Sequence, residues 1–185
     1  MNDEHARLCS SQEWADYIAD EVLPAALAGL ALGDEVLEIG PGYGASTRVL
    51  VDAVPRLTAV ELDETLAAGL ASAYPGVTVV QGSGADLPFE DGRFSAVVCF
   101  TMLHHVDSPQ RQDALFAQAR RVLRAGGVFA GSDSTATEGR RAFHADDTYV
   151  PLDPGALPDR LRSAGFEDVA VAVPDPEFLT FVARA

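Results

Sequence analysis

Short apolar runs alternate with amphipathic stretches along most of this chain, and this alternation restricts the fold more than any other feature. From Glu35 onward the order EVLEI, ASTRVLVDAV, LTAVE, ETLAAGLASA, VTVVQ predicts strand, helix, strand, helix, strand. FSAVVCF then predicts a fourth strand, and a long helix follows that we expect Gly126 to close before a fifth strand, GVFAGS. Strands this apolar, placed between helices, indicate a parallel sheet buried on both faces.

The end of the chain departs from this rhythm. After a predicted helix, PGALPDRLRSAGF, two apolar runs, EDVAVAV and EFLTFVARA, are separated only by PDP. So short a connection cannot form the crossover that parallel neighbours need, so we expect the last strand to run antiparallel. Residues 11–30 have helical spacing and predict one or two helices at the domain edge, while residues 133–153 are the one long irregular stretch.

Length and charge limit the organisation and the function. The 185 residues suit one domain, with 1–32 as a helical edge and 33–185 as the core. No run reaches the roughly 20 apolar residues of a membrane helix, and the polar start lacks a signal peptide, so we expect a cytoplasmic protein and no membrane. The formal net charge of −15 disfavours nucleic acid as a partner. It suits a neutral or cationic small molecule, although acidity is also common for solubility alone.

A turn after the first predicted strand, VLEIGPGYGAST, combines a carboxylate with three glycines. Glu38 lies among apolar residues, where a carboxylate is costly unless a group pairs with it. Gly40, Gly42 and Gly44 let the backbone approach a ligand closely and adopt torsions that other residues avoid. Ligands of open parallel sheets bind at the carboxyl ends of the strands, and this turn lies at such an end.

The second predicted strand ends at Glu61, 21 residues after Gly40. A carboxylate at that distance is placed to accept hydrogen bonds from both ribose hydroxyls of an adenine nucleoside. Gly40, Gly42 and Ala45 also satisfy the dinucleotide-binding pattern G-x-G-x-x-G/A, so an NAD(P)-dependent oxidoreductase is one alternative. Three features disfavour this alternative. Glu38 would repel a pyrophosphate, and the chain is too short for a hydride-transfer domain. An antiparallel last strand is also foreign to the half-sheet of a dinucleotide-binding domain.

Taken together, these motifs resemble the small-molecule branch of the class I S-adenosylmethionine-dependent methyltransferases. From about residue 34 to the C-terminus, VLEIGPGYG, AVELD, QGSGADLPFEDGRFSAVVCFTMLHHV and LRAGGVFAGSDS are similar to successive family motifs. The resemblance implies a Rossmann-like three-layer α/β sandwich with seven mostly parallel strands in the order 3-2-1-4-5-7-6, the last antiparallel. It also implies S-adenosyl-L-methionine as cofactor, S-adenosyl-L-homocysteine as product and a small-molecule substrate.

The resemblance also implies roles for individual residues. Glu38 and the glycine turn would surround the methionine part of the cofactor, whose ammonium would offset the buried carboxylate. Glu61 would hold the ribose. The other cofactor-binding candidates are Gly40, Gly42, Gly44, Leu62, Ser83, Gly84, Ala85 and Thr101. Ser46 and Thr47, at the start of the next helix, are candidates either to bind the methionine carboxylate or to cap the helix.

One departure from the family concerns the adenine end of the site. Members commonly have Gly-Asp-Ala before LPF, whereas this chain reads GSGADLPF, with Ser83 in place of the Asp. Either Ser83 makes a weaker bond to adenine, or Asp86 replaces it from a shifted loop, or packing and backbone hold the ring. Because of this departure, an alternative function remains: a protein of this fold that binds the cofactor without methylating, such as a cyclase or an accessory subunit.

Residues after the fourth and fifth strands are candidates for the acceptor side. In-line methyl transfer needs mainly positioning, and a base only if the nucleophile loses a proton early. His104 and His105 are candidate bases, with a structural hydrogen bond as the other interpretation. Candidate substrate contacts, or alternatively ordinary loop residues, are Tyr43, His144 and Tyr149. Two roles remain for Asp133: contacting the acceptor or capping the loop.

The sequence predicts no metal site. Two cysteines are too few for a zinc cluster, and the closeness of His144 to Asp146 and Asp147 in a loop does not by itself define a ligand geometry. Little of the chain is left to cover the pocket, which is therefore expected to be open or completed by a second subunit in a homodimer.

Overall fold

The computed structural model describes residues 2–185, and its centre is one seven-stranded sheet. The strands are β1 (Val36–Ile39), β2 (Leu57–Glu61), β3 (Thr78–Gln81), β4 (Phe94–Phe100), β5 (Leu123–Ser134), β6 (Glu167–Asp175) and β7 (Phe178–Arg184). Their order is β3-β2-β1-β4-β5-β7-β6. The first five strands pair in parallel, whereas β7 is antiparallel to both β5 and β6. The predicted fold class is confirmed.

Helices connect the strands and cover both faces of the sheet. They are α1 (Asp3–Cys9), α2 (Gln12–Tyr17), α3 (Leu23–Leu27), α4 (Thr47–Ala53), α5 (Glu64–Ala73), α6 (Pro109–Val122), α7 (Glu138–Phe143) and α8 (Leu157–Ser163). A π-helical turn, Ile18–Val22, joins α2 to α3, and a 3-10 turn, Leu103–His105, follows β4. Five of the helices have an N-cap side chain that accepts a backbone N–H from the first turn; these N-caps are Asn2, Ser11, Asp63, Ser108 and Thr137.

Successive residues of the central strands enter two separate cores. Leu37 and Val97 belong to a cluster with residues of α6 and α8, whereas Val36 and Val98 belong to one with residues of α3 and α4. This follows from the two-residue period of a strand, which sends neighbouring side chains to opposite faces. By the same period Glu38 shares the face of Val36 and points toward α4.

The end of α6 differs from the prediction. The helix ends at Val122, and Gly126 does not close it but lies within β5, with φ of 74°. Leu123 is buried and pairs with Phe94, after which the register shifts, so that Val128 pairs with Ala96. Burying Leu123 therefore brings the chain into the sheet early, and the glycine lies in the bulge that follows.

Two other segments add detail to the predictions. The irregular stretch of residues 133–153 contains the short helix α7. At the N-terminal edge, α3 packs against β5 and β7, and Pro24 lies in its first turn, directly after the π-helical turn. Among residues 2–185 no helix is both long and apolar enough to cross a membrane.

Candidate functional site

A cavity of about 310 Å³, which we call the main cavity, lies at the carboxyl ends of β1, β2 and β4. Of the predicted cofactor residues, those that line it are Gly40, Gly42, Glu61, Leu62, Ser83, Gly84, Ala85 and Thr101. Glu38 and Gly44 do not line it, so their contact with a cofactor stays a prediction. Tyr43 and Leu62 border this cavity although they are 43% and 66% exposed, and exposed apolar side chains beside a cavity are typical of a ligand site.

The glycine turn has the conformation that its sequence predicts. Gly40 has φ of 66° and Gly44 has φ of 85°, values that side-chain-bearing residues rarely adopt. A Cβ atom at Gly40 would also lie 2.9 Å from the Met102 side chain. Thr101, at the end of β4, has φ of 52° although it is not glycine. Such strain is often found at functional sites, and Thr101 borders the main cavity.

The carboxylate of Glu61 is buried and held in a fixed orientation. Its Oε2 accepts the N–H of Gly42 at 2.9 Å and its Oε1 accepts the N–H of Asp63 at 3.0 Å. An ionised carboxylate has about four acceptor positions, so two remain for a ligand. Glu61 thus couples the glycine turn to the end of β2 and presents unused acceptors to the main cavity.

The carboxylate of Glu38 lies behind the glycine turn with its own hydrogen-bond donors. Both the Ser46 and Thr47 hydroxyls donate to it, with a Thr47 Oγ1 to Oε2 distance of 2.7 Å. Neither hydroxyl caps α4, so the structure differs from the capping interpretation. Burial raises the pKa of Glu38 to about 7, the two hydroxyls oppose that rise, and the charge of Glu61 adds to it. A nearby positive charge would therefore stabilise the ionised form of Glu38.

At the adenine end the structure discriminates among the three predicted arrangements. Asp86 is exposed and does not line the main cavity, whereas Ser83 does. The Ser83 hydroxyl accepts the N–H of Ala85 at 3.2 Å. A shift of the loop that brings Asp86 into the site is thus not present, and Ser83, packing and backbone remain as candidates for holding adenine.

The side chain of Asp133 is held by hydrogen bonds from other groups of the protein. It is fully buried and accepts from the N–H groups of Leu103, His104 and Ser134, and its Oδ1 lies 2.7 Å from His104 Nδ1. Of the two interpretations left open, the structure favours the cap, because these bonds hold the 3-10 turn against the end of β5.

The predicted catalytic and substrate residues separate in space. His105 and Tyr43 line the main cavity. His104 and His144 are buried and line a smaller cavity of about 30 Å³. Tyr149 lines neither, and its hydroxyl donates to the Thr135 carbonyl oxygen at 2.7 Å. A direct contact between Tyr149 and an acceptor in the main cavity is therefore not supported by this geometry.

Several residues of the main cavity were missed by the sequence analysis. They are His5, Cys9, Trp14 and Ile18 from the N-terminal helices, with Met102, Asp107 and Arg111 after β4. The helical spacing of Trp14 and Ile18 predicted a buried face, but nothing in the sequence showed that this face covers the site. In the structure α1 and α2 supply part of the wall, and completion of the pocket by a second subunit stays a prediction.

Comparison with known proteins agrees with this geometry. A family model described as a methyltransferase domain matches residues 37–131, just over half of the chain. A Mycolicibacterium smegmatis protein named "Probable S-adenosylmethionine-dependent methyltransferase" is 32% identical over 154 residues, which cover 80% of this chain and 57% of that protein. Ribosomal RNA small subunit methyltransferase A of Chlorobium phaeobacteroides is 50% identical over 54 residues, 29% of this chain and 21% of that protein.

A solved structure agrees at the level of the fold. Phosphoethanolamine N-methyltransferase 2 of Haemonchus contortus, in complex with S-adenosyl-L-methionine, superposes with a TM-score of 0.76 at 16% identity, covering 92% of this chain and 52% of that one. The chain spans little more than half the length of its curated relatives. The domain match, the sheet order and the glycine turn show that this chain belongs to the class I S-adenosylmethionine-dependent methyltransferase family, whose cofactor is S-adenosylmethionine.

Proposed function

We propose that this chain transfers a methyl group from S-adenosylmethionine to a small-molecule acceptor in the main cavity. The observation that carries the proposal is the orientation of Glu61. Two backbone N–H groups hold its buried carboxylate beside the glycine turn, with acceptor positions left toward the main cavity. When bound, the cofactor supplies an electrophilic methyl group on a sulfonium.

The residues present fit the cofactor. Glu61 would accept from the ribose hydroxyls, and Ser83, Gly84 and Ala85 would lie along the adenine. The turn from Gly40 to Gly44 would pass close to the methionine part. A cofactor ammonium near this turn would favour the ionised form of Glu38, whose pKa burial raises to about 7.

The acceptor side is expected to work mainly by positioning. Trp14, Ile18 and Met102 give this wall an apolar character that excludes water. Burial, together with the neighbouring His104 and His5, lowers the pKa of His105 to about 3. A base with so low a pKa removes protons weakly at neutral pH, so His105 would orient the acceptor more than deprotonate it.

A small molecule suits this site better than RNA, although RNA methyltransferases are among the relatives. The net charge of −15 opposes a phosphate backbone. Part of the site is covered by α1 and α2, which leaves a cavity of about 310 Å³. That volume is at the low end for small-molecule sites and must hold the cofactor as well, so the space left favours a small acceptor.

The first test is calorimetric titration with S-adenosylmethionine, S-adenosylhomocysteine and NADH. We expect micromolar binding of the two sulfur compounds and none of NADH, because the carboxylate of Glu38 lies behind the glycine turn, where it would repel a pyrophosphate. Binding of NADH alone would overturn the family's cofactor for this chain. Small amines, phenols, thiols and carboxylic acids are then screened by mass spectrometry. A product heavier by one methyl group with equimolar S-adenosylhomocysteine supports transfer, and a converted compound of unchanged mass supports the non-methylating alternative.

A second prediction separates the two adjacent histidines. His104→Ala should lower the free energy of unfolding by about 2 kcal/mol or more, because it removes a donor from the fully buried Asp133 carboxylate. His105→Ala should cost less than about 1 kcal/mol, because that side chain is only half-buried and bonds a carbonyl oxygen. Urea denaturation of both variants tests this, and equal losses would contradict the structural role given to His104.

A further inference from the structure

All four histidines of the chain meet at one place. His5 comes from α1, His104 and His105 from the turn after β4, and His144 from the end of α7. Each ring offers one nitrogen, and these four nitrogens all lie within 4.8 Å of one another. We call this group the histidine cluster. Three segments far apart in sequence supply it, so its members are brought together only by the fold.

The hydrogen bonds around the histidine cluster leave the same nitrogen available in every ring. Each Nδ1 faces an oxygen: the distances are 3.3 Å from His5 to Asp147, 2.7 Å from His104 to Asp133, 3.2 Å from His105 to the Thr148 carbonyl and 2.7 Å from His144 to the Arg140 carbonyl. Carboxylates and carbonyls only accept, so these contacts place the proton of a neutral ring on Nδ1 and leave the Nε2 lone pair bare. Metal-binding histidines are oriented in this way.

One of these bare nitrogens is buried without a hydrogen-bond partner. His144 is 4% exposed, and its Nε2 makes no hydrogen bond with the described residues. An unsatisfied buried polar atom is costly, so a ligand that reaches it is favoured. Neutral imidazole is the form that binds metal ions.

The donor set and its surroundings fit a divalent transition metal. Imidazole ligands suit zinc, copper, nickel and cobalt better than magnesium or calcium. The carboxylates of Asp133 and Asp147 lie behind two of the rings and offset a double positive charge. Tetrahedral zinc with ligands at about 2.0–2.1 Å needs nitrogens roughly 3.4 Å apart, so the widest separation in the cluster must close by about 1.4 Å.

We propose that the histidine cluster binds one divalent transition-metal ion. The ion would join α1 to the turn after β4 and to the segment after β5. His5 and His105 also line the main cavity, so the ion would hold the N-terminal wall of the acceptor site in place. This proposal is independent of the proposed methyl transfer, because metal binding can be measured without cofactor or acceptor.

The test uses the whole chain without a histidine tag, stripped with a chelator. Cobalt(II) titration followed by visible absorption, zinc competition, and metal analysis after dialysis give affinity and stoichiometry. We expect one ion per chain and the strong visible absorption of tetrahedral cobalt(II). The Tm of the protein should be higher with zinc than without it. Absence of saturable binding at micromolar metal would overturn the proposal.

Variants locate the ion. His144→Gln should lower the affinity by more than about 100-fold, and Asp147→Asn, which removes the carboxylate charge behind His5, by about 10- to 100-fold. Phe143→Leu is the matched control, because Phe143 packs against His5 and His144 but offers no ligand. A wild-type affinity in both His144→Gln and His105→Gln would also overturn the proposal. The unfolding experiments on His104 and His105 are done on stripped protein, which keeps the two tests separate.

Discussion

Replacing Glu61 with alanine is expected to weaken S-adenosylmethionine binding by roughly 100-fold or more. The substitution removes two ribose hydrogen bonds to a charged acceptor, each worth about 1.5–3 kcal/mol. It also releases the N–H groups of Gly42 and Asp63, which the carboxylate holds at 2.9 and 3.0 Å. Calorimetric titration of the variant measures the loss directly.

Two further variants make the Glu61 experiment specific. Glu64→Ala removes an exposed carboxylate three residues away and should leave the affinity unchanged. Glu61→Gln preserves the shape but places an amide N–H₂ opposite a backbone N–H, so it should also bind weakly. If Glu61→Ala bound the cofactor as tightly as the wild type while remaining folded, the ribose-binding role would be wrong.

Replacing Glu38 with glutamine is expected to stabilise the cofactor-free protein at neutral and alkaline pH by about 3 kcal/mol. Burial raises the pKa of Glu38 from 4.5 to about 7, and about 2.5 pH units correspond to that energy. The folded protein keeps its proton to a higher pH than the unfolded chain. The stabilising contribution is therefore complete below about pH 4.5 and is lost as the pH rises to about 7. Glutamine is neutral throughout, so the variant should not show this loss.

Urea denaturation of both proteins at several pH values between 5 and 8 tests this prediction. The difference in stability should grow through that range and then level off above pH 7. Glu35→Gln is the control: a hydrogen bond from Arg93 lowers the pKa of Glu35, so this variant should be less stable by an amount that stays constant between pH 5 and 8. A stability difference that does not depend on pH would contradict the raised pKa of Glu38.

The same substitution should affect cofactor binding in the opposite direction. If the cofactor ammonium lies near Glu38, binding favours the ionised carboxylate, and protons are released below about pH 7. The wild-type affinity should then rise between pH 5 and 7, whereas that of Glu38→Gln should be weaker and flatter over the same range. Titration in buffers of different ionisation enthalpy detects the released protons.

Local patterns were sufficient to predict the sheet and one side of the site. Apolar runs separated by amphipathic stretches predicted the strands and helices, and the short PDP connection predicted the antiparallel β7. The glycine turn and Glu61 lie close together because each directly follows a strand of the same parallel sheet. The early start of β5 was not predictable, because it depends on Leu123 being buried against a neighbouring strand and not on a local signal.

By itself the sequence determined the order of elements, the family motifs and the acidic residues at the two strand ends, since each depends on neighbours along the chain. Only the tertiary structure decided that the Ser46 and Thr47 hydroxyls satisfy Glu38 and that α1 and α2 form a wall of the main cavity. It alone also brought together four histidines from three distant segments. Side chains that meet through packing leave no regular spacing in the sequence, and that is the physical reason for the difference.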